Sequence, residues 1–202
     1  MYFLDLLGTL AFAITGAFKA KKAKLALFGV VFLGIITAVG GGTIRDLVIN
    51  RTPLFYLIDY KYLIVAILGS IITFFVPTFF KERFPFFRFI DSIGLAAFSI
   101  IGVSITYNHI FADTQPEATS FLSCVLLGMI TACVGGILRD AIMGDIPFSF
   151  KPGSNYILSS FLGASLFYAL MFYSVDIAIF VSIVVTLFMR EVVSKYGIFG
   201  KR

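Results

Sequence analysis

The chain has 202 residues, 59% of them hydrophobic and only 13% charged, with a mean hydropathy of +1.01. Soluble domains carry roughly 25% charged residues, so the composition excludes a soluble globular protein and indicates an all-α integral membrane protein, with residues 1–202 forming a single transmembrane domain. The net charge of +5 comes largely from basic residues in short loops between apolar runs, which is the signature of membrane topology rather than of nucleic-acid binding.

The apolar runs reach about 20 residues and lack alternation in ten-residue units, so helices are expected and an outer-membrane barrel is not. The first run, about 2–18, opens "MYFLDLLGTL". No basic segment precedes it and no small-residue cleavage site follows, so it reads as a retained first span. Six further spans are expected at about 25–49, 61–80, 89–107, 119–144, 154–173 and 177–194. The second and fifth are long. A 25-residue helix reaches roughly 38 Å against a hydrocarbon layer of roughly 30 Å, so these two are expected to tilt, kink or break.

Each long span carries a glycine phrase followed by a charge pair: "AVGGGTIRDLVINRTP" at 38–53 and "ACVGGILRDAIMGDIP" at 132–147. Arg45 and Arg139, Asp46 and Asp140, Gly41 and Gly135, and Tyr62 and Tyr156 all stand 94 residues apart. Upstream, "FLDLLGTLAFAITGA" matches "FIDSIGLAAFSIIGV" at a spacing of 86, placing the extra residues of the second copy around "NHIFADTQPEAT". Each copy thus holds three spans, repeat one at about 1–80 and repeat two at about 89–173, with an extra helix at about 177–194. An odd number of spans reverses direction, so the copies form two inverted three-helix repeats, spans 1–3 and 4–6, with a seventh helix outside them.

Adjacent glycines cost roughly 1 kcal/mol each within a helix and permit unwinding, which would expose carbonyls able to bind cations along a water-filled path. Close helix packing through small residues is the competing explanation. The two breaks would flank the membrane centre, so Gly40, Gly41, Gly42, Gly135 and Gly136 are candidate pathway residues. Thr37 and Thr131, just before them, place hydroxyls at the midplane for an ion or for their own backbone. Charges at membrane depth need partners. Since neighbours on a helix do not face each other, Arg45 and Arg139 are expected to pair with groups on other spans, Asp5 and Asp91 among them, and to brace the kinks beside Asp46 and Asp140. Gly8, Ala11, Ala13 and Gly16, with their counterparts Gly94, Ala97 and Gly102, offer close-packing surfaces between or within chains.

Loop charge sets the orientation. Lys19, Lys21, Lys22, Lys24, Lys81, Arg83, Arg88, Lys151, Lys195, Lys201 and Arg202 fall on one side, against Arg51 and Lys61 on the other. The lysine-rich side is therefore expected to be cytoplasmic, with the N-terminus outside and the C-terminus inside. The cluster Lys19, Lys21, Lys22 and Lys24 is also a candidate for anionic lipid headgroups. Cys124 and Cys133 lack metal-ligand spacing and read as packing residues, and His109 reads as a solvated loop residue. No nucleophile, metal cluster or acid pair suggests an enzyme, and no cofactor is implied.

With "GGGTIRD" and "VGGILRD" in place, the whole chain resembles the prokaryotic branch of the trimeric intracellular cation (TRIC) channel family. The resemblance implies a homotrimer in the cell (inner) membrane with one pore per protomer, lined by kinked spans 2 and 5. It implies conduction of potassium and, less selectively, sodium. Residue by residue, it reaches Gly40, Gly41, Gly42, Arg45, Asp46, Gly135, Gly136, Arg139 and Asp140. Val134 stands where the first motif has Gly40, and the lysine-glutamate-valine signature of animal members is absent. Similar bacterial sequences carry the label of glycine transporters, so a secondary transporter for a small amino acid is the alternative.

Overall fold

The structure is a computed structural model and describes residues 1–76, 84–113 and 117–193. Every regular element among the described residues is helical: α1 (Tyr2–Lys22), α2 (Leu27–Val48), a short α3 (Phe55–Ile58), α4 (Lys61–Phe75), α5 (Phe84–Thr106), α6 (Ala118–Ile142), α7 (Tyr156–Leu170) and α8 (Val175–Phe188). One π-helical turn, Tyr107–Phe111, extends α5, and another, Met189–Val193, extends α8. By length and apolarity α1, α2, α5 and α6 can each cross a bilayer; α4 and α7 are 15 residues long and α8 is 14. The expected third span ran to residue 80, and its end lies outside the described residues, as do Lys81, Arg83, Lys195, Lys201 and Arg202.

The helices assemble in two groups. In one, α1 packs on α2 and α4; in the other, α5 packs on α6, α7 and α8; the groups meet through α1 against α5 and α2 against α6. Large apolar side chains such as Phe28, Phe75 and Phe180 remain exposed on the outside, as lipid requires. Inside, hydroxyls solve their own hydrogen-bonding problem: Ser70, Thr73, Ser99 and Thr106 each donate to the carbonyl four residues back at 2.7–2.8 Å. That arrangement adds no demand on a neighbouring helix.

One expectation needs correcting, and one choice left open is resolved. First, α2 and α6 are α-helical straight through their glycines, so the backbone does not unwind there. The reason lies opposite: a methyl group on Gly41 would overlap the carbonyl oxygen of Thr131, and one on Gly135 would overlap the carbonyl oxygen of Thr37. The glycines let the two helices touch backbone to backbone, and that contact holds them in helix. Second, the small residues of α1 and α5 serve contacts within the chain. Gly8 faces Phe98 and Gly94 faces Phe12, while Gly16 faces Thr37 and Gly102 faces Thr131. Phe12 and Phe98 themselves meet edge to face, ring centroids 5.1 Å apart.

The candidate pathway and its charge networks

At the crossing of α2 and α6, Thr37 and Thr131 are 0% and 1% exposed. Their hydroxyls donate to the carbonyls of Leu33 at 2.7 Å and Leu127 at 2.6 Å. Of the two roles open to these hydroxyls, the structure shows the backbone bond. Gly40 packs near Leu138, Gly42 near the Phe55 ring, and Gly136 beside the Tyr156 hydroxyl and the Arg139 guanidinium. All seven candidate pathway residues are therefore buried in one seam where helices meet.

Beyond the seam at the end away from the lysines, Arg45 directs Nε and Nη2 to one oxygen of Asp46 at 2.9 and 2.8 Å. The long arginine side chain folds back along its own helix, so the expectation that adjacent residues could not pair is wrong here. Asp46 also accepts the Phe55 backbone N–H at 3.3 Å and contacts Arg51 at 3.4 Å, while Arg45 lies 5.8 Å over the Phe55 ring. Asp5 does not pair with Arg45. It accepts the Tyr62 hydroxyl at 2.8 Å. Nearby, in the loop before α4, the Tyr2 hydroxyl donates to Asp59 and holds its carboxyl below the usual carboxylate range, helped by the Lys61 backbone N–H.

At the lysine-rich end the network is larger. Arg139 donates from Nε to Asp140 at 2.9 Å and from Nη1 to Asp91 at 2.7 Å and Thr15 at 3.2 Å. Asp91 was an expected partner; its second oxygen is taken by Arg190 at 2.6 Å. Arg190 is 2% exposed, its guanidinium stacks 4.2 Å over the Tyr156 ring, and its Nε and Nη1 have no hydrogen-bond partner among the described residues. Lys19, still within α1 rather than in a loop, bridges Asp140 and Asp145 at 2.7 Å each, and its bond to Asp145 holds that loop carboxyl below its ordinary range. The Phe148 backbone N–H closes on Asp140 at 2.8 Å. Lys21, also helical, donates to the carbonyls of Thr73, Phe74 and Val76 and so caps α4. Only Lys22 and Lys24 of the lysine cluster are exposed.

Reading the sequence by motif misses Arg190. The signal was present: an arginine and a glutamate inside a strongly apolar terminal span, where a charge needs a named partner. Glu191 finds the Ser92 hydroxyl at 2.5 Å and Arg88 at 3.3 Å.

This second network lines a cavity of about 510 Å³. Its basic residues are Lys19, Lys22, Arg88, Arg139, Lys151 and Arg190; its acidic ones are Asp91, Asp140 and Asp145. Six against three leaves an excess of three positive charges among the described residues. The described residues contain no group of side chains arranged to hold a metal ion. Cys124 and Cys133 are buried free thiols, and His109 is exposed on the π-helical turn after α5.

A family model described as "Glycine transporter" matches residues 2–78 and 88–172. Among curated relatives, the UPF0126 inner membrane protein YadS of Escherichia coli K12 is 36% identical over 195 residues, 94% of this chain and 89% of that protein. The UPF0126 membrane protein YvgT of Bacillus subtilis is 33% identical over 150 residues, 73% of this chain and 70% of its own. Among solved structures, the TRIC trimeric intracellular cation channel orthologue from Rhodobacter sphaeroides superposes with a TM-score of 0.85 at 30% identity, covering 97% of both chains. A TRIC cation channel solved to explain conductance gives 0.84 at 32% identity, covering 100% of this chain and 96% of the other.

Proposed function

The chain belongs to the TRIC cation-channel family, whose fold it shares over essentially its whole length, and from that premise we propose that it conducts monovalent cations passively, potassium first and sodium less selectively. The observation that supports this most is the α2–α6 seam, where Gly41 against Thr131 and Gly135 against Thr37 are the same contact made twice, each glycine and each threonine standing 94 residues from its counterpart. Two equivalent contacts related by an inverted repeat form a natural centre for a path entered from both faces. In this reading α1, α2 and α4 form one repeat, α5, α6 and α7 the other, and α8 is the seventh span outside them; opening requires α2 and α6 to part at the seam. The protein acts as a homotrimer with one path per protomer, in the inner membrane, the lysine-rich end facing the cytoplasm.

The arginines brace the seam rather than bind the ion, because a fixed guanidinium repels a permeating cation. Permeating potassium or sodium is the cargo, and no cofactor takes part. A carrier for a small amino acid remains the second reading, favoured by the family model's description and by the basic cavity, which suits a carboxylate.

Liposomes loaded with KCl and diluted into potassium-poor buffer separate the two. With a proton carrier present, protein-dependent potassium efflux should draw protons in and quench an internal pH-gradient dye. Saturable accumulation of labelled glycine with no protein-dependent quench would replace conduction by the carrier reading.

A further inference from the structure

The repeat offsets pair Asp5 with Asp91 and Tyr62 with Tyr156, yet the two aspartates sit in opposite electrostatic settings. Asp91 is 5% exposed and held by two guanidinium groups, Arg139 at 2.7 Å and Arg190 at 2.6 Å. Asp5 is half-buried, accepts the Tyr62 hydroxyl, and has no ion pair among the described residues. The difference traces to α8, which has no counterpart in the first half. Its Arg190 lies over the Tyr156 ring and takes the carboxylate oxygen that Tyr156, by analogy with Tyr62, would take. The Tyr156 hydroxyl is left buried without a partner among the described residues.

The consequence reaches both mouths. Arg190 is one of the six basic residues around the cavity, and by neutralising Asp91 it preserves the excess of three positive charges there. A cleft dominated by one sign of charge depletes ions of that sign and concentrates the opposite one. At the other end Asp46 is held by Arg45 and Arg51, while Asp5 and Asp59 have hydroxyl or backbone N–H partners but no ion pair among the described residues. We infer that this asymmetry rectifies conduction: cations pass more readily from the Asp5 end to the Arg190 end than back. Asp5 raises cation entry at its mouth, and Arg190 acts through Asp91 to hold the other mouth positive. The inference rests on the cation-conduction reading above and adds a direction to it.

Patches from giant bacterial spheroplasts, in which all channels face one way, test this in symmetric KCl. Wild-type currents at opposite voltages should differ on the order of twofold or more at about 0.1 M, and become nearly equal at about 1 M, as the Debye length falls from about 10 Å to about 3 Å. Asp5→Asn should lower only the larger current, and Arg190→Met should raise only the smaller. The double variant Arg190→Met with Asp91→Asn removes one charge of each sign, so it should rectify like wild type. Arg190→Lys keeps the charge, should also rectify like wild type, and stands in if the methionine variant fails to assemble. Equal wild-type currents at about 0.1 M, or an Asp5→Asn variant that lowers both directions alike, would overturn the inference while leaving conduction in place. So would a double variant that behaves as Arg190→Met alone, since the arginine would then act by packing. A wild type without cation currents would overturn both.

Discussion

Asp46 and Asp91 are both buried carboxylates, but they depend on their arginines to different degrees. Without Arg45, Asp46 at 0% exposure keeps only contacts of 3.3–3.4 Å, to Phe55 and Arg51. Without Arg139, Asp91 keeps Arg190 at 2.6 Å, and Asp140 keeps Lys19 at 2.7 Å with the Phe148 N–H at 2.8 Å. Arg45→Ala should therefore cost about 3–5 kcal/mol, the range for stranding a buried charge, and Arg139→Ala about 1–3 kcal/mol. Thermal unfolding in mild detergent checks the order; an equal or reversed ranking would show that these contacts do not set stability. Arg45→Lys should recover only part of the loss, because an ammonium cannot reproduce the planar fork. The tyrosines give a second contrast. Tyr62→Phe removes the hydrogen bond to Asp5 and should cost about 1 kcal/mol, whereas Tyr156→Phe removes a hydroxyl with no partner among the described residues and should be neutral or slightly stabilising in the same assay.

Among elements, α2 and α6 are fixed by what faces their glycines. A methyl group at Gly41 or Gly135 meets backbone carbonyl, which cannot turn aside, while one at Gly40 comes close to the Cδ1 end of Leu138 at 2.8 Å and makes an ordinary contact with the Gly135 Cα at 3.9 Å. Gly41→Ala and Gly135→Ala should each destabilise by about 1–3 kcal/mol or more and change conductance, and Gly40→Ala should do much less. Comparable tolerance at all three would mean that the seam is loose. The all-helical membrane fold and the buried charges beside the glycines were legible in the sequence because hydropathy and motif spacing are one-dimensional properties. Whether glycines break a helix or admit a neighbour was not, since both uses need the same residue and the choice depends on the carbonyl opposite. Arg45 pairing along its own helix escaped for a related reason: the direction of a long side chain is set by the packing around it. The Arg190–Asp91 pair joins residues 99 apart in sequence, and no motif connects them, so only the packing of α8 on α5 reveals the pair.

For the molecule as a whole, the account joins a packed central seam to two unequal charge networks and assigns the path between them to cations. A carrier would use the same seam and cavity but would bind its cargo stoichiometrically, so the two differ in what moves per event. The most direct measurement is the reversal potential of unitary currents from purified protein in a planar bilayer with unequal KCl on its two sides. Discrete openings should reverse near the potassium equilibrium potential, and the reversal potential should move further from zero when sodium, the less permeant ion, replaces potassium on the dilute side at equal total cation. Reversal near the chloride potential, or silence from protein that remains folded and assembled, would contradict it.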